Sequence, residues 1–341
     1  MRGCTSLNPE TTNLSWRLGN LKSFDEFRAT TPGITPEGLL PDGDPRESHT
    51  HPETTATGSR HILDNRMGVT VAHGGQVGRT SKIMRQVLLI LAAIAGLAAT
   101  IDAFMVEPYR IEVTHSSVQA SLTRPLKIAH LSDLHTSGLG RREQHLLDLL
   151  DAEQPDVIVI TGDTLTWGRH YYNIRPLLSR LHAPLGVWLV RGNWENYRPL
   201  QNEWAFYSEL GIHFLLNEAR PIRRDIWIAG LDDPSNGTPN LDAALRTVPQ
   251  RVYVIAAFHA PGFFDNVAGR VPLVLAGHTH GGQVRLPLVP VFWLPRGSGR
   301  FLAGWYAERG SRMYVSRGIG TSFLPMRFRC RPELSIITVG S

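Results

Sequence analysis

The last two thirds of this 341-residue chain predict an α/β domain built from layers of strands and helices. From about residue 124 onward, short apolar runs rich in β-branched residues alternate with stretches of helical periodicity. Continuous apolar strands are typical of sheets that are covered on both faces. Hydrophobic residues make up 42% of the chain, which is enough for a sizeable core. We therefore expect a folded domain over residues 124–341, preceded by a linker over residues 107–123.

The predicted elements of this domain follow one another in a regular order. The strands expected are LKIAHLS (126–132), PDVIVITGD (155–163), LGVWLVRGN (185–193), RVYVIAAFHA (251–260), VPLVLAGHTHGG (271–282) and ELSIITV (333–339). The helices expected are RREQHLLDLLDAEQ (141–154), which is amphipathic at helical spacing, and the short DAALRTV (242–248).

The N-terminal quarter of the chain has a different composition. Residues 1–83 are rich in Thr, Gly, Pro, Asn and His and show no sustained periodicity. Such a segment offers too little apolar surface to offset the entropy of ordering, so we expect it to be disordered. The alternative is an over-extended gene start, because Met67 and Met84 both precede the next feature.

A hydrophobic helix is predicted over residues 84–106. The run from Val87 to Ile101 is uncharged and almost wholly apolar, and about 20 apolar residues are needed to cross a bilayer. Arg79, Lys82 and Arg85 precede it, which predicts a cytoplasmic N-terminal side and a C-terminal domain on the outer side. Because no convincing Ala-x-Ala cleavage site follows, we expect an uncleaved anchor. A buried helix of a soluble domain and a helix lying in the membrane interface remain open.

The charged residues and cysteines exclude several classes of function. The formal net charge is +5, and only Lys22, Lys82 and Lys127 are lysines, so nearly all positive charge is arginine. No Lys/Arg run resembles a nucleic-acid-binding patch, and we expect no nucleic-acid partner. Cys4 and Cys330 cannot form a disulfide framework. Any metal must therefore be held by His, Asp and Asn.

Polar side chains of these types follow the predicted strands at the point where each strand ends. Loops at the carboxyl ends of strands in open α/β sheets converge on one crevice. Asp-x-His and His-x-His spacing directs both side chains to one face of extended backbone, and flanking glycines let the backbone approach a ligand. The sequence therefore predicts a metal site. The candidate ligands are Asp133, His135, Asp163, Asn193, His259, His278 and His280.

The order Asp-x-His, Gly-Asp, Gly-Asn, His, Gly-His-Thr-His over residues 133–280 resembles the calcineurin-like metallophosphoesterase family. The stretches GHTHGGQVRLP and YVSRGIGTSFLPMRFRCRPEL are similar to its membrane-associated bacterial phosphodiesterases of the YaeI and YkuE type. The resemblance covers residues 124–341. It implies a four-layer αββα sandwich of two mixed sheets. It also implies attachment to the bacterial cytoplasmic membrane.

The resemblance further implies a binuclear metal centre that hydrolyses a phosphoester. The ligands implied are Asp133, His135 and His280 for one ion, Asn193, His259 and His278 for the other, and Asp163 bridging both. The mixed His and carboxylate ligands suit Mn, Fe or Zn. A hydroxide bridging the two ions beside Asp163 would attack a phosphodiester or pyrophosphate bond, so no covalent intermediate is needed.

Trp194 departs from the family pattern, because most members have a His after Gly-Asn that assists the leaving group. An indole cannot transfer a proton, and general acid help is worth about 10²–10⁴ in rate. We therefore expect a pyrophosphate or activated diester substrate, since a phosphate leaving group has a second pKa of about 6. A nucleotide-linked lipid such as a UDP-diacylglucosamine would fit the predicted anchor. Glu195 or a nearby His is the alternative proton source. The alternative functions are a phosphomonoesterase and a non-catalytic membrane protein that binds metal and phosphate.

Three further features allow two interpretations each. Arg317 could contact a substrate phosphate or form a salt bridge with a carboxylate. His130 alternates with Ile128 in a predicted strand, which favours a buried structural role over ligation. The apolar, Pro-rich loop PLVPVFWLPRG (287–297) could contact an acyl chain or membrane, or simply pack on the domain.

Overall fold

A computed structural model describes residues 74–165, 170–291 and 293–340. The disorder predicted for residues 1–73 lies outside this described part of the chain. Residues 74–83, which were included in the same prediction, instead form the beginning of a helix, α1 (Gly74–Ile101).

The helical stretch continues beyond α1 through a π-helical turn, Asp102–Val106, and a 3₁₀ turn, Glu107–Tyr109. From Ser81 to Tyr109 it is long and apolar enough to cross a membrane, judged by length and composition. Only 6% of its most apolar window is buried, so this window does not pack as the core helix of a soluble domain does.

Twelve strands form two mixed six-stranded sheets in the described residues. The first sheet has the spatial order β1 (Glu112–Val118), β12 (Glu333–Val339), β2 (Leu126–Leu131), β3 (Val157–Thr161), β4 (Val187–Val190), β5 (Ile212–Leu215). The second sheet has the order β10 (Gly304–Glu308), β11 (Ser311–Val315), β9 (Leu273–Ala276), β8 (Tyr253–Ala257), β7 (Ile226–Gly230), β6 (Glu218–Arg223). Strands β2 to β5 are mutually parallel, as are β7, β8, β9 and β11. Their carboxyl ends therefore lie at one edge of each sheet.

The helices cover the outer faces of the two sheets. They are α2 (Arg141–Glu153), α3 (Tyr171–Leu178), α5 (Glu203–Glu209), α6 (Leu241–Leu245) and α7 (Phe264–Val267), whereas the short α4 (Asn193–Tyr197) lies in the loop region after β4. The central core lies between the sheets and includes Val159 of β3 and Ile255 of β8. A second core packs Leu146 of α2 on the first sheet, and a third packs Leu241 and Phe264 of α6 and α7 on the second. The predicted four-layer αββα sandwich of two mixed sheets is confirmed.

The segment expected to be a linker, residues 107–123, is part of the folded domain. Glu107 is buried, and its carboxylate accepts the backbone N–H groups of Arg329, at 2.8 Å, and Cys330. Strand β1 runs parallel to β12 at the edge of the first sheet. Its sequence, EVTHSSV, is mostly polar because an edge strand leaves side chains in water. It therefore lacks the apolar run by which the other strands were predicted.

Candidate metal centre

The predicted ligands stand on loops that leave the carboxyl ends of five strands. These strands are β2, β3, β4, β8 and β9, and the residues that follow them are Asp133, His135, Asp163, Asn193, His259, His278 and His280. Asn193 is partly buried, and each of the other six is at most 5% exposed. Burial of so many polar groups is costly unless they find partners.

Asp133, His135 and His280 form a first cluster, in which one ligand atom from each lies within 4.8 Å of the others. The Nε2 atoms of His135 and His280 are 3.1 Å apart. The Nε2 atom of His280 is 3.3 Å from Asp133 Oδ1. Two imidazole nitrogens and a carboxylate oxygen therefore converge on one point.

Asp163, His259 and His278 form a second cluster by the same criterion. Asp163 Oδ2 is 3.2 Å from His259 Nε2 in this cluster and 3.5 Å from His135 Nε2 in the first. His259 Nε2 is also 3.9 Å from Asp133 Oδ1. The two clusters are thus adjacent, and the Asp163 carboxylate lies between them.

Three unpaired polar atoms of the candidate ligands indicate whether metal ions would fit here. Asp133 Oδ1, Asn193 Oδ1 and His259 Nε2 are buried and have no hydrogen-bond partner. Buried polar atoms in folded proteins are nearly always paired. A divalent cation would satisfy all three atoms, and their oxygen and imidazole chemistry suits Mn, Fe or Zn.

The ring nitrogens that face away from the clusters fix the histidine tautomers. His135 Nδ1 lies 2.9 Å from the carbonyl oxygen of Leu165, and His259 Nδ1 lies 2.7 Å from that of Thr161. A carbonyl can only accept, so each Nδ1 donates and each Nε2 is directed toward the clusters. His278 has the opposite arrangement, with Nε2 donating to a backbone carbonyl at 2.9 Å and Nδ1 left for a ligand. Such outer hydrogen bonds orient metal-binding histidines.

Burial dominates the electrostatics of the centre. It lowers the pKa of His135 to about 3 and that of His278 to about 4, and it lowers the pKa of His280 well below its ordinary value. These rings are therefore neutral. Burial raises the pKa of Asp163 to about 7. Burial opposes protonation of His259, but the Asp163 carboxylate raises its pKa well above the ordinary value. The Asp163–His259 pair thus holds a proton that a metal ion would displace.

The backbone is strained at most of the candidate ligands. Asp133, His135, Asp163, His278 and His280 have φ angles of 50°, 37°, 53°, 72° and 51°. Non-glycine residues rarely adopt the left-handed region, and such conformations cluster at functional sites. The fold therefore holds these side chains in place against a conformational cost.

Gly162 and Gly192 allow two ligand loops to touch. A Cβ atom on Gly192 would lie 2.2 Å from Asp163 Oδ1, and one on Gly162 would lie 2.3 Å from the backbone nitrogen of Gly192. Gly162 also has a φ of +82°. Any side chain at either position would separate the loop that carries Asp163 from the loop that carries Asn193.

Comparison with known proteins agrees with this geometry. Residues 126–282 match the profile of the calcineurin-like phosphoesterase family. The chain is 32% identical over 254 residues to the uncharacterized metallophosphoesterase YkuE of Bacillus subtilis, covering 69% of this chain and 87% of that protein. The chain belongs to the calcineurin-like phosphoesterase family. It is also 31% identical over 268 residues to an uncharacterized metallophosphoesterase of Aquifex aeolicus, covering 74% of this chain and 98% of the relative.

A further relative of this phosphoesterase is a Danio rerio protein named transmembrane protein with metallophosphoesterase domain. The identity is 28% over 302 residues, which cover 81% of this chain and 68% of the relative. The family and the YkuE-like branch predicted from the motifs are confirmed. The roles of individual ligands stay predictions.

Glu195 braces the loops of this phosphoesterase. Its Oε2 accepts the backbone N–H groups of Asp163 and Gly192 at 2.9 and 2.8 Å. Its Oε1 accepts the backbone N–H and the hydroxyl of Thr164 at 2.8 and 2.7 Å. Glu195 is completely buried. Both oxygens are thus occupied by loop donors, which disfavours Glu195 as the alternative proton source.

Trp194 lies beside the first cluster. Its ring packs edge-on against His135, with centroids 6.0 Å apart, and its backbone N–H donates to Asp163 Oδ1 at 2.9 Å. The indole is 8% exposed and lines a cavity of about 450 Å³ together with His135 and Phe323. The position after Gly192-Asn193, where the family resemblance implied a proton donor, is thus an apolar wall.

Arg317 forms salt bridges and His130 is buried in the structure, which matches one of the two interpretations given for each residue. Arg317 forms ion pairs with Glu112, at 3.0 Å, and Glu333, at 3.2 Å. His130 is fully buried, its Nε2 lies 2.9 Å from the hydroxyl of Thr161, and burial lowers its pKa to about 4.

Asp233, which the sequence analysis did not select, also faces this region. It is fully buried after β7, and its Oδ2 accepts hydrogen bonds from Ser235 and Asn236. Its Oδ1 has no hydrogen-bond partner. The negative charge of Asp233 acts to raise the pKa values of His259 and His278. Its place after the apolar run IWIAG, where another strand ends, was the signal available in the sequence.

Proposed function

We propose that this phosphoesterase uses two divalent metal ions to hydrolyse a phosphodiester or pyrophosphate bond. The observation that carries the proposal is the position of Asp163 Oδ2, 3.5 Å from His135 Nε2 and 3.2 Å from His259 Nε2. A carboxylate shared by two histidine clusters suits the bridging position between ions about 3.5–4 Å apart in two-metal hydrolases.

The proposed ligands divide along the two clusters. They are Asp133, His135 and His280 for one ion, His259, His278 and Asn193 for the other, and Asp163 for both. When bound, the ions supply a nucleophile from water at neutral pH and neutralise charge on the phosphoryl oxygens. The chain's own contribution is orientation. His135 and His259 are fixed by carbonyls behind them, and Glu195 fixes the Asp163 loop.

The surroundings of Trp194 support a leaving group that departs without a proton. The indole next to His135 cannot donate one to a departing oxygen, and the carboxylate of Glu195 is engaged by loop donors. Poor alkoxide leaving groups need general acid help, whereas a phosphate or an activated aryloxide does not. This chemistry supports a pyrophosphate or activated diester over a simple alkyl ester.

Metal-dependent activity on a simple diester tests the proposal. We expect the metal-free full-length chain to hydrolyse bis-p-nitrophenyl phosphate after addition of Mn²⁺, and Asp163→Asn to lose this activity. Asp242→Asn is the matched control, because the Asp242 side chain is exposed on α6. Equal activity in Asp163→Asn would contradict the bridging role. If no diester were hydrolysed with any of the three metals, the non-catalytic function would replace the enzymatic one.

Diesters with graded leaving groups test the absence of a proton donor. We expect kcat to fall steeply as the pKa of the leaving group rises, because charge on the departing oxygen is not neutralised by a proton. A flat dependence would show that a general acid operates and would overturn the preference for pyrophosphate.

The proposal includes attachment to the bacterial cytoplasmic membrane through α1, with the phosphoesterase domain on the outer side and a lipid-linked substrate. The exposed apolar surface of α1 supports attachment, and the cationic residues Arg79, Lys82 and Arg85, which precede its apolar run, support the orientation. Protease treatment of spheroplasts measures the orientation. Digestion of the domain is expected, and protection until lysis would contradict it.

A further inference from the structure

An apolar cavity of about 360 Å³ opens beside His280. Two loops form its walls: the first contains residues 284–291 and Trp293, and the second contains residues 322–324. Their main apolar lining residues are Val284, Leu286, Val289, Val291, Trp293 and Leu324. Its volume falls in the range of small-molecule sites, about 300–1,000 Å³. None of the described lining residues is Asp, Glu, Lys or Arg. The lining is mainly apolar, so a nucleotide base or a peptide backbone would replace few of the hydrogen bonds to water that it loses there, whereas a hydrocarbon chain would lose none.

The mouth of the cavity carries unusually exposed apolar side chains. Trp293 is 60% exposed and Phe323 is 82% exposed, with their ring centroids 6.5 Å apart. Leu288, at the tip of the first loop, has no protection from solvent. Phe323 also has a φ of 56°, a strained conformation for an aromatic residue. A contiguous exposed apolar patch of this kind marks an interaction site rather than ordinary surface.

The segment 327–330, here called the strap, connects the cavity to the end of α1. The backbone N–H of Arg327 donates to the carbonyl of Ala103 at 2.9 Å. The backbone N–H of Phe328 in the strap donates to Gln283, which leads into the first loop, at 3.0 Å. Leu324 of the second loop precedes Arg327 by three residues, which span about 10 Å at most. Both loops that form the cavity are thus joined through the strap to the turn that follows α1.

The inner end of the cavity reaches the candidate metal centre. His280 lines the cavity, and its Nε2 lies 3.1 Å from that of His135. Phe323 and Leu324 separate this cavity from the one that contains Trp194 and His135. A phosphoryl group at the first cluster would therefore have an apolar cavity on one side and the Trp194 cavity on the other.

From these contacts we infer that the cavity beside His280 binds an acyl chain of the substrate, which enters from the bilayer that holds α1. The inference rests on the proposed function for the phosphoryl group that the chain carries. The occupant is a membrane lipid bearing a phosphodiester or pyrophosphate. The exposed side chains of Leu288, Trp293 and Phe323 then contact the bilayer interface, where tryptophan is favoured.

Hydrolysis of p-nitrophenyl alkyl phosphates by the full-length chain in lipid nanodiscs tests this inference. We expect kcat/KM to rise at least tenfold from the methyl to the decyl ester. Trp293→Ala and Leu286→Asp should flatten this rise, because one removes a wall and the other adds a charge to it. Longer esters also partition more strongly into the bilayer, but that effect is the same for every variant. Trp204→Ala, which removes an exposed tryptophan of α5, should keep the full rise. An identical rise in Trp293→Ala and wild type would overturn the inference.

A measurement without hydrolysis separates failure of this inference from failure of the proposed function. Brominated acyl chains quench nearby tryptophan, and α1 contains no tryptophan. We expect nanodiscs of brominated phosphatidylcholine to quench the wild-type chain and to quench Trp293→Ala distinctly less. Equal quenching would show that acyl chains do not reach the cavity mouth, whether or not the chain hydrolyses diesters. Absence of hydrolysis with selective quenching of Trp293 would instead reject the enzyme and retain the lipid site.

Discussion

Glu195 accepts the backbone N–H of Asp163 at 2.9 Å through the same carboxylate oxygen that accepts the N–H of Gly192. One buried side chain therefore ties the loop after β3 to the loop after β4. These loops carry Asp163 and Asn193, so the relative position of the two candidate ligands depends on a residue that contacts neither metal site directly.

Glu195→Gln is expected to weaken Mn²⁺ binding by about 10–100-fold, the typical effect of losing an outer hydrogen-bond partner. The amide group would present N–H donors to loop N–H donors, so part of the brace would be lost. Titration calorimetry on the metal-free chain measures the change. Glu209→Gln, at an exposed ion pair with Arg175, is the matched control. Unchanged affinity in Glu195→Gln would refute the bracing role.

Trp194→His is expected to raise kcat for diesters with poor leaving groups by up to about 10²–10⁴. The imidazole would stand beside His135, where it could protonate the departing oxygen. Rates for p-nitrophenyl esters should change little, because that leaving group needs no proton. Trp194→Phe serves as the control, since it changes the size of the side chain without adding a donor. A gain with Trp194→Phe equal to that with Trp194→His would point to space rather than acid catalysis.

His130→Gln is expected to make the chain less sensitive to acid. Burial lowers the pKa of His130 from 6.5 to about 4, so the unfolded chain binds a proton before the folded chain does. Wild type therefore loses stability as pH falls from 6.5 to 4, by about 3 kcal/mol from this group alone. A glutamine keeps a partner for Thr161 and does not titrate. Urea unfolding of both proteins at pH 7.5 and pH 4 measures the difference. A gap between the proteins that is the same at both pH values would contradict the prediction.

Removal of metal is expected to destabilise the folded domain. Ligands that bind only the native state add about 2.7 kcal/mol at a free concentration of 100 Kd. A chelator should therefore lower Tm, and added Mn²⁺ should restore it. Asp133→Asn is expected to show a smaller metal-dependent shift, because Asp133 Oδ1 is one of the unpaired buried atoms. A Tm independent of metal in the wild type would contradict occupation of the centre.

Glu107→Gln is expected to loosen the connection between α1 and the strap. The buried carboxylate accepts two backbone N–H groups, and leaving a buried donor unpaired costs about 1–3 kcal/mol. Hydrogen exchange at Arg329 and Cys330 should become faster. Glu218→Gln, at an exposed ion pair, is the control. Unaltered exchange in Glu107→Gln would show that the junction does not depend on this contact.

Elements with a strong local signal could be predicted from the sequence. Strands such as β3 and β8 are continuous apolar runs, and α2 has clear helical periodicity. The two-residue spacings of Asp133 with His135 and of His278 with His280 are also local. Together with the rule that carboxyl ends of strands converge, these patterns were sufficient to select the residues of both clusters.

Features that depend on tertiary contacts could not be predicted. Strand β1 is polar because it lies at an edge, so its sequence contains no apolar run from which its pairing with β12 could be predicted. The function of Glu195 depends on amides contributed by two separate loops. The positive φ angles of Asp163 and His280 are imposed by the surrounding fold. The segment 107–123, predicted to be a linker, packs on the domain for a similar reason. The hydrogen-bond partners of Glu107 lie more than 200 residues further along the chain.

The hydrogen bond between Ala103 and Arg327 joins the domain directly to the turn that follows the apolar helix, with no free linker between them. A phosphoesterase on a long tether would sample a hemisphere of bulk solution, and its rate would follow the volume concentration of substrate. Here the strap is hydrogen-bonded directly to the turn that follows α1, so the domain is held close to the end of the helix. With α1 in a bilayer, as proposed, encounters with a lipid-linked substrate would be governed by lateral diffusion in a plane, and the relevant quantity would be the number of substrate molecules per unit area of bilayer.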